Sequence, residues 1–329
     1  MVNKKRLIVI DSNSLIHRAY HALPPLTTKK GELVNAVYGF LLVFLKVIRE
    51  FQPDFIAAAF DFPAPTFRHK QYEAYKAKRP PVPKDLSQQL PKIKKILKSF
   101  NVPVFEKKGF EADDIIGTIT NLAPKKQAIP EIETIVLSGD LDILQLVDSH
   151  TIAYTLRRGV KDALLYDIRA VKEKYQGLTP DQLPEFKALK GDPSDNIPGL
   201  PGIGEKIAIG LIKEFGNLES LYRNLEGKTE RAKKIKPKIK NILLRFKDQA
   251  FFNRQLSQIK KDAPIDFNLK KCEWKDYNKE KVIHDLEELD FSSLITRLPS
   301  LREEKDKKQK KEGVRISAEK KTGQNLRLW

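Results

Sequence analysis

Short apolar runs alternate with longer amphipathic ones over the first half of the chain. The β-branched run "RLIVI" (6–10) predicts a buried strand, and "DFIAAAF" (54–60), "VPVFE" (102–106) and "ETIVL" (133–137) predict three more. "LVNAVYGFLLVFLKVIREF" (33–51) has helical length and few breakers, and further helical stretches separate the strands. Strands alternating with helices predict an α/β domain over residues 1–175, a mostly parallel sheet with helices on both faces. An insertion at 64–100, rich in Lys, Arg, Tyr and Pro, interrupts the alternation. It contains two helix candidates, "PTFRHKQYEAYKAK" and "KDLSQQLPKIKKILKSF", split by "RPPVP". Between 176 and 298 the pattern becomes helical, which predicts a second domain. From 299 to 329 the chain is polar and highly charged with little apolar periodicity, which predicts a disordered basic tail. No internal repeat is present.

Composition narrows the partners. Of 329 residues 40% are hydrophobic, enough for a folded core, and 61 Lys plus Arg against 43 Asp plus Glu leave a net charge of +18. Such an excess favours a polyanion, most often nucleic acid. The single cysteine, Cys272, rules out an internal disulfide and fits a reducing, cytoplasmic setting. The five histidines show no zinc-type pairing, no signal peptide precedes "RLIVI", and the longest apolar run is broken by Lys46. A soluble, monomeric, nucleoid-associated protein is expected.

The acidic residues are not scattered. Strand candidates end at Asp11, at Asp61 and at "GDLD" (Asp140, Asp142), while "GFEADD" places Glu111, Asp113 and Asp114 at a helix start. Singly, each has a structural reading: an N-cap, a dipole partner, a turn. Parallel strands, however, bring all of them to one edge, where so many carboxylates cannot ionise together without added positive charge. Oxygen-bound Mg²⁺, or Mn²⁺, meets that need. "GDPSDN" sets Asp192 and Asp195 three apart, so that on a helical turn both face one way and join Asp140 and Asp142 in a second cluster. Two metals about 4 Å apart serve in-line attack on a phosphodiester.

The adjoining "GLPGIGEK" is not a P-loop, because Glu205 separates Gly204 from Lys206 and Ile207 follows. It fits the hairpin of a helix-hairpin-helix, in which Gly202, Ile203, Gly204, Glu205, Lys206 and Ile207 would approach a DNA phosphate. In the insertion, Arg68, Lys70, Lys76, Lys78 and Arg79, interleaved with Tyr72 and Tyr75, read equally as a clamp for single-stranded nucleic acid or as a solvated helix face.

"VIDSNSLIHRAYHAL", "AAFDFPAPTFRH", "YKAKRPPVP", "GFEADDIIG", "LSGDLDILQLV" and "LKGDPSDNIPGLPGIGEKIA" together resemble the 5'-3' exonuclease (flap endonuclease) family. That family forms the N-terminal domain of bacterial DNA polymerase I and also occurs as stand-alone nucleases; the resemblance covers about residues 6–290. It implies a PIN-like nuclease core, a helical arch at 64–100 and a helix-hairpin-helix domain. One metal cluster would come from Asp11, Asp61, Glu111, Asp113 and Asp114, the other from Asp140, Asp142, Asp192 and Asp195. Arg18, Lys76 and Arg79 match positions that hold the scissile phosphate and the 5' strand. A monovalent cation such as K⁺ would sit on the carbonyls of Leu189, Lys190, Pro198, Leu200 and Ile203. The implied reaction cuts duplex DNA at a 5' end, nick or flap, leaving a 5'-phosphate, in primer removal and repair. A non-catalytic binder of branched DNA and a metal-dependent RNase with a related core are the alternatives. No polymerase domain follows Trp329, so a stand-alone nuclease and a piece of a longer protein both fit. Finally, Gln324, Leu326, Leu328 and Trp329 in "QNLRLW" resemble the short motif by which bacterial replication proteins dock on the sliding clamp; a chance ending is the alternative.

Overall fold

A computed structural model describes residues 4–123, 132–158 and 162–300. Six strands form one sheet in the order β3-β2-β1-β4-β5-β6: β1 (Lys5–Asp11), β2 (Phe55–Ala59), β3 (Val104–Phe105), β4 (Ile132–Ser138), β5 (Thr151–Arg158) and β6 (Asp162–Tyr166). The first five strands are mutually parallel and β6 alone runs antiparallel, on β5.

The alternation of side chains along β1 sorts the core into two layers. Ile8 and Ile10 face α1 (Ser12–Ala22) and α2 (Asn35–Phe51), packing with Phe40 and Phe44, whereas Leu7 and Val9 face the opposite layer with Ile115 and Ile119. The small side chains Ala57, Ala58 and Ala59 of β2 are fully buried and leave room for both.

Four of the strands lie where the apolar runs put them. β5 and β6 escape that reading: β5, between β4 and β6, mixes buried Thr151 and Thr155 with its apolar residues, and β6 is a short edge strand on which Leu164 and Leu165 are exposed. The insertion also differs. Its first half forms only α3 (Phe67–Gln71), which ends in turns where Lys76 takes a left-handed φ of 55°. After the short α4 (Lys84–Ser87), α5 (Leu90–Ser99) buries Ile93, Ile96 and Leu97 in the main core. Residues 84–100 are thus a core crossover and not part of a free-standing arch.

Across the sheet edge, α6 (Ala112–Leu122) carries the acidic first turn and α7 (Ile168–Lys174) leads out of β6. The helical domain follows: α8 (Leu183–Lys190), α9 (Glu205–Phe215), α10 (Leu218–Glu226), α11 (Glu230–Lys233), α12 (Pro237–Arg245) and α13 (Lys247–Ser257), around Leu189, Leu200, Ile203, Ile212 and Leu221. α14 (Lys279–Glu287) returns to the main core through Val282 and Leu286, and the short α15 (Ser292–Ile295) follows it. Among the described residues no helix is long and apolar enough to cross a membrane. The tail from 301, including Gln324, Leu326, Leu328 and Trp329, lies outside the described residues.

Candidate metal-dependent active site

The carboxyl edge of the sheet opens into a basin of about 620 Å³ lined by Asp11, Asp61, Glu111, Asp113, Asp140, Asp142 and Asp195. Each acid is placed by a local rule. Asp11 ends β1 and caps α1, accepting from Ser14 N–H at 3.1 Å and from the Ser138 hydroxyl at 2.5 Å. Asp61, just past β2, accepts from Ala112 N–H at 2.8 Å and so ties the strand to the start of α6. Asp140 accepts from Asp142 N–H at 2.9 Å in the turn after β4. The N-cap reading of Asp11 and the turn reading of Asp140 are therefore correct locally, and the same side chains also form the basin.

Asp192 and Asp195 sit on a single tight turn, not on a regular helix: Asp195 N–H bonds to Asp192 O at 3.3 Å and Asn196 N–H to Pro193 O at 3.3 Å. Residues 192–197 close a bridged turn, with Asp192 N–H bonded to Ile197 O at 2.9 Å and Ile197 N–H to Asp192 O at 2.9 Å. Two glycines permit it: a Cβ on Gly199 would lie 2.0 Å from Lys190 O, and one on Gly191, whose φ is +84°, would lie 2.3 Å from Gly199 N. The turn brings carboxylate oxygens of Asp142, Asp192 and Asp195 within 4.8 Å of one another. Asp140 is not in that closest group.

Cations are interleaved with the acids. Lys187 of α8 donates to Asp192 at 2.6 Å and to Asp142, bridging the two. Lys76 donates to Glu111 at 2.9 Å, Arg79 donates to Asp195 at 2.6 Å, and Arg18 donates to Gly139 O at 2.6 Å on the basin wall. Lys187 carries no motif signal of its own. A lysine one turn before two clustered aspartates, on the helix that presents them, is the sole hint in the sequence.

The electrostatics are those of crowded acids. Burial, with Asp61 and Asp140 nearby, pushes Asp11 up to about 7. Burial pushes Asp142 up to about 6 against the pull of Lys187. Asp113 is held well above the usual carboxylate range by burial and by Asp11 and Asp140, and Asp61 is raised by its depth in the basin although its own surface is open to solvent. Asp192 goes the other way: burial is outweighed by Lys187 and by Ser194, whose N–H and hydroxyl it accepts. Raised carboxylates bind more protons folded than unfolded between their unfolded value near 4 and the folded ones, so their contribution to stability is lost as pH rises through that window. In chelator, thermal melting is therefore expected at a lower temperature at pH 8 than at pH 5.5; a rise over that interval would contradict it.

Several predicted contacts are elsewhere. Asp114 is fully buried and its carboxylate is consumed by Arg68 (2.7 and 2.8 Å), Glu111 N–H (3.1 Å) and Lys260 N–H (2.9 Å), leaving it no room as a metal ligand. Arg68, 2% exposed, also donates to Leu256 O and Gln258 O, so it is a core tie and not a DNA contact. Tyr75 is buried with its hydroxyl on Asp195 (2.9 Å) and Glu111 (3.2 Å), which removes it as a stacking platform. Tyr72 packs edge-on against Phe252. Ile203 is buried, so only its backbone can meet a ligand, while Gly202, Gly204, Glu205, Lys206 and Ile207 are exposed around the N-terminus of α9. Of the carbonyls expected around a monovalent ion, those of Leu189, Pro198 and Leu200 accept from Leu200 N–H, Asn253 and Ile203 N–H.

Residues 6–176 match the family model described as the 5'-3' exonuclease N-terminal resolvase-like domain, and 178–280 match the 5'-3' exonuclease C-terminal SAM fold. DNA polymerase I of Bacillus subtilis (strain 168) is 39% identical over 316 residues, 96% of this chain and 35% of the relative. The thermostable DNA polymerase I of Thermus thermophilus is 40% identical over 296 residues, 89% of this chain and 33% of the relative. The chain thus spans about a third of the length of these relatives. Among solved structures, a bacteriophage T5 flap endonuclease in a pseudo-enzyme-product complex with DNA and metal ions shares the fold at a TM-score of 0.61, with 20% identity, over 87% of this chain and 100% of that one. The catalytic core of Rad2 with DNA substrate gives 0.55 at 17% identity, over 88% of each chain.

Proposed function

The chain belongs to the 5'-3' exonuclease family of nucleases, and from that premise we propose that its basin hydrolyses DNA phosphodiesters at 5' flaps, nicks and duplex 5' ends with two divalent metal ions. The observation that carries the reading is the acid set itself. Carboxylates gathered from three strand ends, the start of α6 and the 192–197 turn crowd one basin, and burial beside neighbouring acids holds Asp11, Asp61, Asp113 and Asp142 above the ordinary carboxylate range, a state that a hard, oxygen-bound cation relieves. His17 and His21 also line the basin, but carboxylates dominate its donors and the closest group, Asp142, Asp192 and Asp195, is all oxygen, which suits Mg²⁺ or Mn²⁺ over softer metals.

Asp11, Asp61, Glu111, Asp113 and Asp140 would hold one ion; Asp142, Asp192 and Asp195 the other. When bound, the pair supplies a water that is nucleophilic at neutral pH and neutralises charge at the leaving oxygen. The protein's own part is positional. Lys76 and Arg79, now paired to Glu111 and Asp195, are placed to turn to the scissile phosphate, and Arg18 guards the wall at Gly139. The exposed Gly202–Ile207 hairpin would hold the duplex by its backbone, with K⁺ on nearby carbonyls. The likeness to DNA-bound solved structures supports a DNA substrate and a place on the nucleoid, in primer removal and repair. Docking of the 324–329 segment on a sliding clamp remains part of the same proposal.

Two measurements test it. A panel of 5'-flap, nicked, blunt and RNA substrates should show cleavage of the flapped and nicked DNA first; cutting of RNA alone would favour an RNase, and binding without cutting in Mg²⁺ a non-catalytic binder. Mg²⁺ should also raise the melting temperature more at pH 8 than at pH 5.5, since protons and metal compete for the same carboxylates. An equal shift at both values would sever the ion from the basin.

A further inference from the structure

The segment 226–247 holds nine Lys or Arg and two Glu. Its acids are already engaged, Glu226 with Lys247 and Glu230 with Lys233, and the neighbouring Glu214 lies 3.9 Å from Arg231. Lys228, Lys234, Lys236, Lys238 and Lys240 are left with no carboxylate partner among the described residues. Four of these five are exposed and Lys240 is half-buried. They are held out by packing: Ile235, Ile239 and Ile242 turn inward onto the helical-domain core and Leu243 is completely buried, so α12 is anchored and its lysines point away.

The position of α12 gives the charge a purpose. A Cβ on Gly202 would lie 3.8 Å from the Ile242 side chain, so the helix abuts the hairpin at the point where a phosphate is expected. From Ile242 back to Lys236 is six residues, about 9 Å of helix, which is roughly three phosphate spacings along one DNA strand.

We propose that the lysines of α11, α12 and their connection form a second phosphate-contacting ridge that carries the duplex footprint several base pairs beyond the hairpin. It rests on the nuclease reading above and adds to it a binding surface remote from the basin's acids. Such contacts are read by charge and shape, without base specificity, and favour longer duplex arms.

The test is a salt titration of binding to flapped duplexes with a short and a long arm, in chelator, so that cleavage does not enter. In the variant carrying Lys234→Gln, Lys236→Gln, Lys238→Gln and Lys240→Gln, the slope of log affinity against log salt should fall by up to about 3.6, near 0.9 per lost phosphate. Its preference for the long arm should disappear. A control with Lys98, Lys261, Lys270 and Lys281, all exposed, changed to Gln should keep both. An unchanged slope in the ridge variant, or an equal loss in the control, overturns the ridge while leaving the nuclease reading intact. Wild-type protein that fails to bind any flapped duplex overturns both. Lys238→Glu alone should act in the same direction and guards against a multiple variant that folds poorly.

Discussion

Asp192→Asn is expected to lower cleavage by on the order of 10³-fold, the loss of several kcal/mol of metal-borne charge stabilisation, while the protein stays folded. The Asn oxygen can still accept from Ser194 N–H and its hydroxyl, now at 3.0 and 2.6 Å, so the turn keeps its closure. What disappears is the charge that Asp192 adds to the group it forms with Asp142 and Asp195. Affinity for flapped duplex in metal-free buffer should be unchanged or higher, because removing negative charge beside a phosphate cannot weaken an electrostatic contact. Single-turnover cleavage and anisotropy on the same preparation check both halves. Normal cleavage would remove Asp192 from metal binding; loss of folding would assign it to the turn instead, where a cap usually stabilises by about 1 kcal/mol.

Arg68→Met should destabilise the protein by about 3–5 kcal/mol, the usual cost of breaking a buried pair from one side. The guanidinium donates twice to Asp114 and once each to Leu256 O and Gln258 O. It therefore joins α3, α6 and the end of α13, and methionine leaves the Asp114 charge and two carbonyls without it. Denaturant unfolding at pH 7 reads the loss directly. Fully folded variant should bind DNA as wild type does, in contrast to a clamp residue; wild-type stability with a shallower salt dependence of binding would restore the clamp.

The Arg68–Asp114 pair also marks where sequence reading stops. "GFEADD" has an acidic residue at three of its last four positions, and nothing in the spacing says that the last one turns inward while Asp113 lines the basin. The difference is made by Arg68, forty-six residues away. Tyr75 fails for the same reason: its burial depends on Glu111 and Asp195 closing over it. By contrast, the apolar runs of β1, β2 and β4 were sufficient to place Asp11, Asp61 and Asp140, because a buried parallel strand is a local pattern and its end is a defined address. Asp192 and Asp195 come within 4.8 Å of Asp142, as one turn of i→i+3 spacing suggests, but the Gly191–Gly199 crossing that seats the turn leaves no local pattern to read. Lys187 had no pattern to betray it, its role being set by the two acids it lies between.

The most direct test of two-metal phosphodiester hydrolysis is cleavage of a labelled 5'-flap duplex by the purified chain in Mg²⁺ and in chelator, followed by ligation of the product. Cleavage only with the metal, leaving a 5'-phosphate that ligase seals without kinase treatment, is the predicted result. Cleavage that persists in chelator, or none in Mg²⁺ or Mn²⁺ by protein that binds the same duplex, would contradict it.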